Sequence, residues 1–238
     1  MAFYGDVFRR AGSYLSVGEP VLGPGDVAPG LEQDLLGAWW HEAARTDERV
    51  APQDADTLPA EAQWVQRALR QLSNSRFFSG IALRSMVSDL KQVTQYLTVP
   101  EVREEAQGRV IKAVGPDTRV VVGHSLGSVV AYEALCAMPG HGVRALVTLG
   151  SPLGIAHLVF DRLEPSPLDG RGTWPGGEDT TWTNVADMRD VVALEKDLRP
   201  RFGDRVRNAL VDNGAQAHSV IPYLTDRITG EAIAGGLL

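Results

Sequence analysis

The chain has a single cysteine, Cys136, in 238 residues. No intramolecular disulfide can form, and no cysteine cluster can hold a metal. Cys136 follows Leu135 in an apolar run, where a thiol reads as a buried structural group rather than a reactive one. Positive charge is also in short supply. The 23 Lys and Arg face 30 Asp and Glu, a net charge of −7, and the basic residues are scattered. Neutralising phosphates takes a dense Lys/Arg face, so general nucleic-acid binding is excluded. No window approaches the ~18 uninterrupted apolar residues of a membrane span. The opening "MAFYGDVFRRAG" lacks the basic segment followed by a long apolar stretch that marks a secretory signal. No internal repeat or low-complexity tract is visible. The expectation is a cytoplasmic protein without a transmembrane segment.

What is present is the composition of a folded, water-soluble chain, 44% hydrophobic and 22% charged, long enough for one large domain over 1–238. "AFYGDVF" is aromatic and β-branched and reads as a strand running into a loop. The Gly/Pro-rich "VGEPVLGPGDVAPG" breaks any regular element. Helical spacing then appears over Leu31 to Asp47, Ala60 to Leu72, Ile81 to Leu97 and Glu101 to Val114. In the third of these, Leu83, Met86, Val87, Leu90, Val93, Tyr96 and Leu97 share one face, as core residues do. This helical region, 31–114, is a candidate cover for a site.

From Asp117 the rhythm changes to short apolar strands separated by helices, the mark of parallel βαβ units. Strands are expected at Arg119 to Val122, Ala145 to Leu149, Trp182 to Ala186 and Val206 to Val211. Helices are expected at Leu126 to Ala137, around Ile155 to Leu163, around Val191 to Leu198, and from Ser219 onward. The fold class is therefore α/β, a mostly parallel sheet with helices on both faces. "PSPLDGRGTWPGGEDTT" is a long loop of the kind that shapes sites, and the loop around Trp174 is expected to help form an acyl pocket.

Between a strand pattern and a helix pattern lies "VVVGHSLGSVVAYEAL", Val120 to Leu135. A bare G-x-S-x-G is weak evidence, but this strand–turn–helix setting is the one a nucleophile elbow requires. Gly123 and Gly127 lack Cβ atoms, so strand and helix can approach while Ser125 takes a strained backbone conformation. Ser125 would project beyond the carboxyl end of its strand, where open α/β sheets bind ligands. The Leu126 N–H, at the start of the helix, would face a developing oxyanion.

A serine hydroxyl needs a base, and the chain has five histidines. His124 adjoins Ser125 but points elsewhere at such a turn, and reads as a lining or structural residue, as does Ser151 after the next strand. His41 precedes the elbow, His141 sits in turn chemistry, and His157 has no loop carboxylate between itself and Ser125. His218, opening the last helix after the last strand, is the expected base. Asp187 and Asp190 both qualify as the acid after the strand "TWTNVA", with Asp190 favoured by its loop position. Asp212 reads as the turn residue of "DNG".

These residues resemble those of α/β-hydrolase lipases and esterases, most closely the branch similar to GPI inositol-deacylase-like serine hydrolases. The likeness is carried by "VVVGHSLGSVVAYEAL", by "LVTLGSPLG" from Leu146, by "WTNVADMRDVVA" from Trp182, and by "AHSVIPYL" from Ala217. It covers the C-terminal half well and the region before Arg119 loosely. It implies Ser125 as nucleophile, Asp190 as acid and His218 as base, acting without metal or organic cofactor on a small-molecule ester or lipid. One departure stands out. Members of this fold usually carry an earlier strand ending in a His-Gly turn that donates a second oxyanion N–H. Nothing like it precedes Ser125, so the sheet is expected to lack the first strand–helix unit. The competing expectation is a hydrolase-like scaffold that binds a lipid, small ester or protein partner without turnover.

Overall fold

The computed structural model describes residues 2–8, 22–53, 62–77 and 83–238. The chain forms two compact units, one built on Phe3–Glu105 and the other on Ala106–Leu238.

The first unit is helical. Its helices are α1 (Leu31–Thr46), α2 (Ala62–Asn74), α3 (Leu83–Thr98) and the first turns of α4 (Pro100–Ala113), up to Glu105. The expected helical spans hold here to within a few residues, because each carries an apolar stripe that only a helix can bury on one side. Leu35, Leu36, Trp39, Trp40 and Ala43 of α1 are buried, as are Trp64, Val65, Ala68, Leu69 and Leu72 of α2. The Trp40 and Trp64 rings meet at 5.9 Å, and the Trp40 indole N–H donates to the Ala51 carbonyl at 2.7 Å. The opening strand expectation fails. Gly5–Phe8 is a single 3-10 turn closed by Val7 N–H on the Tyr4 carbonyl, since Gly-Asp suits a turn and no described strand pairs with it.

The second unit is α/β. Its four strands are β1 (Val120–His124), β2 (Ala145–Leu149), β3 (Thr181–Asp187) and β4 (Val206–Val211), all parallel and in the order β1-β2-β3-β4. All four fall where the short apolar runs place them. Side chains alternate across a strand, and the two faces of the sheet are differently filled. Val147, Leu149 and Val185 on one face pack with Tyr223, Ile228, Ala232 and Ile233. These belong to α7 (Val220–Thr225) and α8 (Arg227–Leu237). On the other face Trp182 stacks near Tyr132 of α5 (Leu126–Cys136) at 5.5 Å and near Phe202 of α6 (Arg199–Phe202) at 4.8 Å. Helices thus flank both faces. No described helix is long and apolar enough to cross a membrane.

Two expected helices are absent, and each has a local cause. Over Ile155 to Leu163 only Phe160–Arg162 forms a 3-10 turn. His157 sits in the left-handed region at φ 62°, which ends any α-helix there, and its N–H and Nδ1 both meet the Asp161 carboxylate. Over Val191 to Leu198 the backbone donors are taken by side chains instead of helical carbonyls. Asp190 Oδ1 accepts from Val192 and Ala193, and Asn208 Oδ1 accepts from Leu198. The last expected helix is split in two at Asp226, whose carboxylate caps α8 by accepting from Ile228 N–H.

Candidate active site

At the carboxyl end of β1 the chain turns through Ser125 into α5. Ser125 has φ 52° and ψ −130°, a backbone conformation that a residue with a Cβ holds only when its surroundings force it. Several bonds supply that force. Ser125 N–H donates to the Leu149 carbonyl at the end of β2, and Ser128 N–H closes the turn on the Ser125 carbonyl at 2.9 Å. The Ser128 and Ser151 hydroxyls are 2.7 Å apart beneath it. Gly123 makes room, since a Cβ there would lie 2.6 Å from the Gly127 carbonyl oxygen and the Ser128 Cα. Ser151, expected as a lining residue, is buried and braces the elbow from below while accepting from Leu153 N–H.

Ser125, His218 and Asp190 come together. The Ser125 Oγ lies 2.9 Å from His218 Nε2, and His218 Nδ1 lies 2.8 Å from Asp190 Oδ2. Asp190 is fully buried, the His218 side chain is 17% exposed, and Ser125 is half-buried. The chain of groups therefore runs from the interior outward, with the hydroxyl at its open end.

Electrostatics fix the direction of the bonds. Burial by itself raises the Asp190 carboxyl. The charge and Nδ1–H of His218, the Tyr223 O–H and the Ala193 N–H outweigh burial and hold it below the usual carboxylate range. An ionised Asp190 only accepts. His218 Nδ1 therefore carries the proton, and Nε2 is left free to accept from Ser125 Oγ. Leu126 N–H is in the first turn of α5, where backbone donors have no partner within the helix. It is the backbone donor expected to face an oxyanion at such a turn.

Asp187, the alternative acid, is also buried but is turned away from the imidazole. Its carboxylate accepts from Arg189 N–H and from Asn213 N–H, tying the end of β3 to the loop after β4. Asp212 caps its own turn through Gly214 N–H and pairs with Arg189. The remaining histidines lie elsewhere. His141 accepts from Val143 N–H on Nδ1 and meets the Pro175 carbonyl through Nε2. His157 is exposed on Asp161, and His41 is exposed on α1.

Three features of the site go beyond what the sequence implies. His124 Nε2 donates to the backbone carbonyl of His218 at 2.8 Å, and the two rings stack at 4.7 Å. Burial, and then the charge of His218, lower its pKa to about 4, so the ring is neutral near pH 7. Tyr223 reaches Asp190 Oδ2 at 2.8 Å. Gly150, at φ 52°, lies under the pair: a Cβ there would sit 2.6 Å from Asp190 Oδ2 and 3.1 Å from His218 Nδ1. The glycine in "LGSP" was visible, but its role depends on three segments far apart in the chain.

The loop around Trp174 is a correction. It leads into the first residue of β3, so it lies at the amino end of the sheet, opposite the elbow, and cannot shape a pocket at Ser125. There it borders a cavity of about 490 Å³ with Met138, His141 and Arg144.

Comparison with protein-family models, with curated proteins and with solved structures finds no match.

Proposed function

We propose that the chain is a serine hydrolase of the α/β-hydrolase kind that cleaves carboxylic esters. The observation that carries this reading is the continuous Ser125–His218–Asp190 chain at 2.9 and 2.8 Å, set on a strained turn at the carboxyl end of a parallel sheet. Nucleophile, orienting acid and base follow one another along the chain in the order expected for this fold.

In the proposed reaction His218 Nε2 takes the Ser125 proton as Oγ attacks the acyl carbon. Asp190 stays ionised and stabilises the imidazolium. Leu126 N–H donates to the tetrahedral oxyanion. His218 then returns the proton to the departing alcohol, leaving an acyl group on Ser125, and the same base activates water to release the acid. A single donor gives up part of the usual stabilisation, since one such bond is worth ~2.7–4 kcal/mol. The substrate side of the reading, a small-molecule ester or lipid, draws on the rim. Val220, Ile221 and Leu224, directly after His218, are exposed on α7, an apolar surface suited to an acyl chain. The reaction requires no cofactor, and the reading sets it in the cytoplasm.

Hydrolysis of a panel of p-nitrophenyl esters, together with labelling by a fluorophosphonate probe, tests the proposal. Ser125→Ala is expected to lower kcat by ~10⁴-fold and abolish labelling. A loss below about tenfold would remove Ser125 from the chemistry. Well-folded protein that neither labels nor turns over would instead be the non-catalytic binding scaffold.

A further inference from the structure

The serine–histidine–aspartate chain has a fourth member that the reaction above does not use. Tyr223 is fully buried, and its hydroxyl makes two contacts of 2.8 Å. One is to the backbone N–H of Asp187, which can only donate, so the phenol oxygen accepts there. The phenol proton must then go to the other contact, Asp190 Oδ2, which is the oxygen that already takes His218 Nδ1–H. Burial and the Asp190 charge push the phenol up from its ordinary value, so it keeps that proton. Asp190 Oδ1 is meanwhile filled by Val192 and Ala193 N–H. The carboxylate therefore has four donors, and one of its two bonds on Oδ2 comes from the same helix that follows His218.

We propose that Tyr223 is a positioning residue for the hydrolase proposed above: its phenol fixes the Asp190 oxygen on which His218 turns and draws off part of its charge. A carboxylate bonded by a second donor stabilises an adjacent imidazolium less. Tyr223 thus trades some basicity of His218 for a defined orientation. The other ionisable groups around the base are His124 at the end of β1, stacked on its ring, and Lys196, whose Nζ donates to the Asp190 backbone carbonyl. Asp187 lies beyond the phenol, with Arg189 at 3.8 Å.

Tyr223→Phe removes the hydroxyl and keeps the ring in its cluster with Val147, Leu149 and Val185. The acidic limb of kcat/KM for a p-nitrophenyl ester is expected to move up by roughly half to one pH unit, as the less neutralised carboxylate favours the imidazolium. The plateau kcat should fall about tenfold with KM unchanged, because the imidazole is less well held. NMR titration of the His218 ring, assigned with His218→Gln, should show its midpoint moving in the same direction. 3-Fluorotyrosine placed at position 223 is a stronger donor, and it should move both readings downward, which covers the case of a misfolded Phe variant. In an Asp190→Asn background the Phe substitution should move the ring midpoint by less than about 0.2 unit. A purely structural tyrosine would lower stability and leave limb and midpoint in place, and that result, or shifts of opposite sign, overturns the proposal. Should the wild-type protein hydrolyse no ester, the hydrolase reading falls while the ring titration still decides what Tyr223 does to the Asp190–His218 pair.

Discussion

The two ends of the four-stranded sheet are built on opposite principles. At the carboxyl end, ionisable groups are buried, two residues under the site hold positive φ angles of 52°, and every polar group of Asp190 has a partner. At the amino end, Trp174 packs on Trp182 at 5.8 Å beneath the guanidinium of Arg205, 4.3 Å from its ring. Its indole nitrogen is buried with no hydrogen-bond partner among the described residues, and an open cavity adjoins it. The contrast teaches where the fold has spent its stability. Strain and buried charge persist only where surrounding bonds over-determine them. At the carboxyl end they meet at Ser125, Gly150 and Asp190, where successive strands deliver loops to one point.

Substitutions can test that contrast. The largest effect belongs to Gly150→Ala, which places a methyl 2.6 Å from Asp190 Oδ2 at a left-handed φ. For the proposed hydrolase, displacing Asp190 by even a fraction of its bond length should cost kcat/KM at least ~10²-fold, with folding retained at a cost of ~1–3 kcal/mol. An active Gly150→Ala enzyme would mean that the carboxyl end is less tightly determined than its bonds suggest.

A second effect comes with pH. His124 is lowered from 6.5 to about 4 in the fold, so in this range the unfolded chain binds a proton that the native one does not. Its contribution to stability is complete above the unfolded value and is lost as pH falls toward the folded one. At ~1.4 kcal/mol per pH unit this amounts to about 3 kcal/mol. Urea unfolding of wild type and His124→Phe across this range measures it, and the variant should show the shallower acid slope. Parallel slopes would separate His124 from acid sensitivity.

The smallest effect is expected at the other end. Trp174→Phe keeps an aromatic ring and removes the unpartnered N–H, so stability should change by less than ~1 kcal/mol and kcat/KM by less than about twofold. A larger loss of activity would show that the two ends communicate.

Much of this arrangement was legible in the residues. The strand and helix at the elbow, the four strands, and Ser125 and His218 as candidates follow from period, Gly placement and chain order, with Asp190 favoured over Asp187 by its loop position. The two missing helices share a cause. His157 in a left-handed turn, and the loop after Asp190 whose N–H groups go to Asp190 and Asn208, are cases in which side chains compete with the helix for backbone partners. Apolar periodicity does not register that competition. The end at which Trp174 lies has no local signal, because a Gly/Pro-rich loop carries no mark of which strand end it serves.

Local pattern by itself determined the four strands and the helix after the first of them, and hence that a serine would stand on a bend between them, because period and glycine placement are properties of neighbouring residues. The contact of Asp190 with the imidazole, which its loop position only favoured, was settled by tertiary structure, and the clasp of His124 on the His218 carbonyl, the phenol of Tyr223 and the space kept by Gly150 were decided by it alone. Each depends on distances between segments tens of residues apart, and such distances are set when parallel strands register against one another, which no single stretch of chain encodes.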